Sequence, residues 1–224
     1  MRNGSGPTTT GTSPRRPPSF KTLAWIALFG SLLLAGALRD NDPPQPTATQ
    51  AGSPPGVRTA PRTAPDSPGP APLPASDPVR IRIPAIKVDA FLTRLELDAE
   101  GTLQPPPVTA PALAGWYADG TTPGSRGTAV VAGHVDTPYG PAVFHQLGAL
   151  KKGSEIAVDR QDGRTALFTV DAVEVHAKDG FPDDKVYAGS ARPELRLITC
   201  GGGWSESTGY EANTVVYATM NAVK

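Results

Sequence analysis

The chain has one cysteine, Cys200, which closes the apolar run "LRLIT" and is followed by three glycines. A single cysteine makes no intramolecular disulfide, so the thiol is buried and inert, paired between molecules, or used chemically. On an alternating strand Arg196, Ile198 and Cys200 share one face, and Leu195, Leu197 and Thr199 share the other. The glycines allow a ligand to approach the backbone closely and leave amide N–H groups unobstructed. A nucleophile at a strand end beside backbone donors is what acyl transfer requires. A thiol with an ordinary pKa of about 8.5 is mostly protonated at neutral pH, so a nucleophilic cysteine needs an imidazole nearby. Of the three histidines, His134 ends another apolar run, "TAVVAGH", ahead of the polar "VDTPYG". His145 and His176 read as surface or packing residues. Zinc held by Cys200 and histidines is the alternative, but the close spacings of metal-ligand motifs are absent.

Both runs must be held by a folded body, and the sequence places it in the C-terminal part. From Val79 to the end, short β-rich runs ("VRIRI", "GTAVVAGHV", "EIAV", "TALFTVDAVEV", "ELRLITC", "TVVYATM") alternate with turn chemistry such as "DAEG", "TPGSRG", "KKGS", "RQDG" and "GGGWSESTG". Pro84 interrupts the first run and predicts a bend or an edge there. Helical pattern is scarce, with one short turn predicted in "GPAVFHQLGAL". Many short strands over residues 79–224 predict a single all-β barrel or sandwich with a core of its own. This part carries 14 Lys+Arg against 17 Asp+Glu and the whole chain has no net charge, which gives no general attraction to nucleic acid.

The preceding residues divide into three. Residues 1–22 are polar and basic, with Arg2, Arg15, Arg16 and Lys21 and no acidic residue, and read as a disordered cytoplasmic tail. Residues 23–38, Leu23 to Leu38, carry no charge and would span roughly 24 Å as a helix, somewhat short of a bilayer core. Basic residues before this segment orient it as a transmembrane anchor with the C-terminal part outside the cell. The "AGA" at Ala35–Ala37 leaves a cleaved signal sequence, and hence secretion, as the alternative. Residues 39–78 contain twelve prolines and read as an extended, disordered linker.

The ordered segments "VRIRIPAIKVDA", "GTAVVAGHVD", "LRLITCGG" and "TGYEANTVVYA" resemble those of a sortase, most closely the actinobacterial class F. The resemblance runs from about Val79 to Ala218. It implies an eight-stranded sortase-type β-barrel with short helical turns. It also implies a cysteine transpeptidase that cleaves an LPxTG-like sorting motif of exported proteins after threonine. The acyl group then passes to a peptidoglycan-precursor or other cell-envelope amine, with no metal or organic cofactor. By the same resemblance Cys200 is the nucleophile and His134 the acid/base. The family's third residue is an arginine after the cysteine, and here Asn213 falls at or next to that slot. Its side-chain amide is an accepted oxyanion donor, though a neutral one. Thr199, Trp204 and Tyr210 are candidates for the walls of the substrate groove. Trp204 and Tyr210 are expected in the loop after Cys200, and Asp136 is a weaker candidate for orienting the imidazole.

The missing arginine motivates a rival reading, a sortase-fold module that binds envelope proteins or peptides without catalysis. A third reading, an L,D-transpeptidase of peptidoglycan, is weakened because His134 lies 66 residues (200 − 134) before Cys200.

Overall fold

The computed structural model describes residues 43–46 and 69–224; the tail over 1–22, the apolar segment over 23–38 and most of the linker lie outside the described residues. Among the described residues no helix is long and apolar enough to cross a membrane.

Alternation of apolar and polar residues builds the strands β1 (Pro78–Ile83), β2 (Val88–Leu95), β3 (Ala114–Tyr117) and β4 (Gly127–Gly133). A two-stranded ribbon follows, β5 (Asp136–Thr137) and β6 (Gly140–Pro141), then β7 (Glu155–Arg160), β8 (Thr165–Ala177), β9 (Pro193–Ser205) and β10 (Gly209–Val223). Eight strands close into a barrel in the order β1-β2-β3-β4-β9-β10-β8-β7. The all-β barrel expected from the sequence is therefore present, with few helices. Closure leaves no free sheet edge, and Pro84 opens a 3-10 turn (Pro84–Ile86) between β1 and β2. A second such turn, Leu147–Ala149, lies in the segment where one was expected. β3 and the helix α1 (Asp183–Tyr187), which lies between β8 and β9, were not anticipated.

The interior is filled by the alternate residues that point inward, including Val131, Leu195, Leu197, Phe168 and Val216, all fully buried. A second apolar cluster sits on the outer face, where Val186 of α1 covers Val215 and Tyr217 with Phe181 and Ile198. The folded body begins before β1. Leu73 packs against the core and donates its N–H to the Gly124 carbonyl at 2.8 Å, and the buried Arg160 guanidinium grips the Pro74 and Pro123 carbonyls. Residues 69–77, read from the sequence as linker, are thus tied to the barrel.

Candidate active site

β4 and β9 run parallel, and every recorded pair, from Gly127↔Pro193 to Ala132↔Ile198, keeps one offset, 193 − 127 = 66. That is the separation of His134 and Cys200. The hydroxyl of Thr199 carries the pairing one step further by donating to the Gly133 carbonyl at 2.8 Å. The same offset carried two residues past the last recorded pair points from His134, the residue after β4, to Cys200 on β9. Inward-facing Val131 and Leu197, packed in the core directly below, fix this alignment.

Cys200 is half-buried on the outer face of β9. Directly across from it on β10 stands Asn213, which in turn pairs with His176 on β8. Cys200, Asn213 and His176 therefore form one row over β9, β10 and β8, and His134 follows the end of β4 on the other side of β9. Nε2 of His134 lies 2.7 Å from the Pro106 carbonyl. A carbonyl only accepts, so Nε2 carries the hydrogen, and Nδ1 is the acceptor in the neutral ring. Pro106 gave a sequence signal that was missed: consecutive prolines lack N–H groups and leave carbonyls outside any ladder.

The strand containing Cys200 does not end there. β9 continues to Ser205 and pairs with β10 as a hairpin, with Tyr210 opposite Trp204, so both aromatics stand on strand extensions rather than in a loop. The glycines read as a loop are accommodated by a register slip between Tyr210 and Ala212, with Gly202 at φ +77°. A Cβ there would meet the Ala212 side chain at 2.7 Å, and one on Gly201 would collide with the Thr214 hydroxyl. Trp204 is largely exposed. The Tyr210 hydroxyl donates to the Asp136 carboxylate at 2.5 Å, joining the hairpin to the segment after His134. Asp136 thus holds Tyr210, where the sequence offered it as a partner of the imidazole. Thr199 is buried and points away from Cys200; it is a tie between strands and not a groove wall.

No arginine replaces Asn213 at its position. Arg196 lies two outward-facing positions before Cys200, bonded to Glu194 at 2.7 Å and stacked 4.7 Å from the Tyr217 ring. Arg94 pairs with Asp77, and Arg126 precedes β4 at its far end. At the end of the row, His176 lies 2.9 Å from the Tyr217 hydroxyl and 3.2 Å from Glu174, which also takes Lys185. Burial holds the His176 pKa below its usual value against the pull of Glu174, with Lys185 adding to the lowering. Burial also pushes Tyr217 up to about 12, so its hydroxyl stays protonated at any physiological pH.

The closed barrel carries the thiol on β9 and the imidazole just past the end of the neighbouring β4, the two groups that acyl transfer through a cysteine needs. A sortase domain model matches residues 81–221, and the chain belongs to the sortase family, whose members are cysteine transpeptidases. Among solved structures it is similar to sortase C-1 from Actinomyces oris, at 24% identity and TM-score 0.50, covering 65% of this chain and 76% of that one. It is also similar to sortase A of Listeria monocytogenes (18% identity, TM-score 0.49, 67% and 90% covered). A third is sortase E1 of Streptomyces coelicolor with a tripeptide in its active site (15% identity, TM-score 0.48, 66% and 90% covered). No curated protein sequence matches the chain.

Proposed function

We propose that this protein is a membrane-anchored sortase of the class F kind, cutting an LPxTG-like sorting motif of exported proteins after threonine. The observation that supports the reading is the constant offset between β4 and β9, which equals the separation of His134 and Cys200. Nδ1 of His134 takes the Cys200 thiol proton, the thiolate attacks the threonine carbonyl carbon, and the carbon–nitrogen bond of the collapsing tetrahedral adduct breaks. The leaving amine takes its proton from Nδ1 of His134, and a thioester to Cys200 remains. An envelope amine, such as that of a peptidoglycan precursor, attacks the thioester, gives a proton to His134 and releases the thiolate. The Asn213 amide, across from Cys200, donates to the oxyanion. Residues 23–38 anchor the chain, and the barrel works outside the cell.

The rival, a binding module without catalysis, draws on Asn213 standing where the family carries a charged donor. One experiment decides between them. The full chain in nanodiscs is given fluorogenic peptides with a panel of sorting motifs, with and without an amine acceptor. Cleavage by the wild type is expected, with none by Cys200→Ala. His134→Ala should lose roughly 100- to 10,000-fold, the range for a general acid–base. Asn213→Ala should lower kcat, and Asn213→Arg should not. No cleavage of any motif overturns the enzyme reading, and a harmless Asn213→Ala removes the oxyanion role.

A further inference from the structure

The segments that hold His134 in place also wall a cavity of about 580 Å³, within the roughly 300 to 1,000 Å³ of small-molecule sites. After the β5–β6 ribbon the chain returns past His134. The Ala142 N–H donates to the Val135 carbonyl and the Phe144 N–H to the His134 carbonyl, both at 3.0 Å. Between them the Val143 N–H donates to the Pro111 carbonyl at 2.7 Å. Ala142, Val143 and Pro111 line the cavity, and Pro111 belongs to the segment whose Pro106 carbonyl holds the imidazole. The rest of the wall includes Lys87 and Asp89, at the entry to β2, and His145.

Register puts this wall at the end of the barrel where His134 emerges. Leu92 of β2 is level with Ala114 of β3, and Ala114 is level with Gly133 of β4. β2 runs parallel to β3 and β3 antiparallel to β4, so Lys87 and Asp89, which precede Leu92, lie beyond Gly133. In the order β2-β3-β4-β9 the cavity strand is on one side of β4 and Cys200 is on the other.

The charges of the wall do not cancel. Arg80 takes the Asp89 carboxylate through two bonds, at 2.5 and 2.8 Å. Lys87 joins no ion pair among the described residues. It stands at φ +56°, the single described non-glycine residue in the left-handed region. Its N–H caps the 3-10 turn by donating to the Pro84 carbonyl at 3.1 Å, a task that Gly or Asn performs with less strain. The chain carries a cationic side chain there instead. On the same wall the buried Nδ1 of His145 has no hydrogen-bond partner, so the protein does not satisfy its polar groups by itself.

We propose that this cavity receives the acyl acceptor as an amine that also bears a carboxylate, with the carboxylate on Lys87 and the amine extending to His134. The inference rests on the transpeptidase reading above. In that step the amine nitrogen bonds the thioester carbon, its proton passes to Nδ1 of His134, and the carbon–sulfur bond breaks to leave the thiolate. An amino acid or short peptide with a free C-terminus meets the requirement. An alkylamine or an amidated peptide lacks the anchoring charge.

Oligoglycines of two to five residues, each as the free acid and as the C-terminal amide, test this with the full chain in nanodiscs and a cleavable sorting peptide. The acid is expected to have a KM roughly tenfold lower than its amide at the best length. Lys87→Asn suits the left-handed backbone and removes the charge, so the ratio should fall toward one; Lys87→Arg should keep it. A ratio near one at every length, a ratio that survives Lys87→Asn, or cleavage in which neither form is accepted overturns the site. Titration of Cys200→Ala with the same pairs, followed by the imidazole nitrogen resonances of His145, separates this proposal from the transpeptidase reading. Shifts caused by the acids alone, with no cleavage of any motif by the wild type, would keep the binding site and overturn the transpeptidase. Cleavage without such shifts overturns the site alone, and neither cleavage nor shifts overturns both.

Discussion

β9 is held differently on its two sides. Toward β4 it keeps one parallel register without interruption, and its inward residues are locked in the core. Toward β10 the antiparallel register slips within three residues of the Asn213–Cys200 pair, where Gly202 takes a left-handed backbone. The alignment of β4 with β9 is therefore set by buried packing, while Asn213 and the hairpin are set by local glycine geometry. A close-packed interior transmits small changes, and a glycine bulge absorbs them. The candidate site therefore has a rigid side toward β4 and an adaptable side toward β10.

The sharpest way to break the rigid side is Thr199→Val. The shape is conserved, but the Gly133 carbonyl loses its hydroxyl donor in a buried position. We expect a loss of about 1 to 3 kcal/mol in urea unfolding, with a drop in kcat because His134 is no longer held in register with Cys200. Thr199→Ser keeps the hydroxyl and should restore most of both. Equal loss in the two variants would mean that the hydroxyl bond does not carry the alignment.

The adaptable side offers a smaller test in Tyr210→Phe, which removes the bond to Asp136 and leaves the ring in place. Stability should change by no more than about 1 kcal/mol, since the pair is only part-buried. The amide protons of residues 136–140 should exchange faster and kcat should fall while KM for short peptides holds. Unchanged exchange there would show that the segment after His134 is held by other contacts, among them the Phe144 N–H on the His134 carbonyl at 3.0 Å.

The same contrast separates what could be read from the sequence from what could not. β4 and the first half of β9 are apolar runs that end at the reactive residues, so their existence and inward faces were legible. Asn213 was found by counting back from the final strand, and it stands across from Cys200. The hairpin was misread because three successive glycines resemble a loop, although a bulge lets paired strands continue through them. α1 has five residues, too short for a helical period to show, and β3 has four. The Tyr210–Asp136 bond joins residues 74 apart, and nothing in either segment announces the other.

The smallest effect concerns the far end of the row, where His176 borders Asn213 on the adaptable side. Its ring meets Glu174 on its own strand, Tyr217 on β10, and Phe181 edge-on from the segment that leads into α1, with Lys185 beyond Glu174. Since burial lowers its pKa, the folded protein prefers the neutral ring, and the unfolded chain binds the proton at higher pH. Its contribution to stability is complete above the ordinary value of about 6.5 and is lost as the pH falls from there through the lowered folded value. Tyr217, raised to about 12, keeps its proton throughout this range, with its hydroxyl 2.9 Å from Nε2. The Tm of the wild type should therefore fall between pH 7.5 and 5.5 by more than that of His176→Gln, which does not titrate. Parallel Tm curves for the two proteins would show that His176 feels no net burial, and that the row ends in solvent rather than against the Phe181 segment.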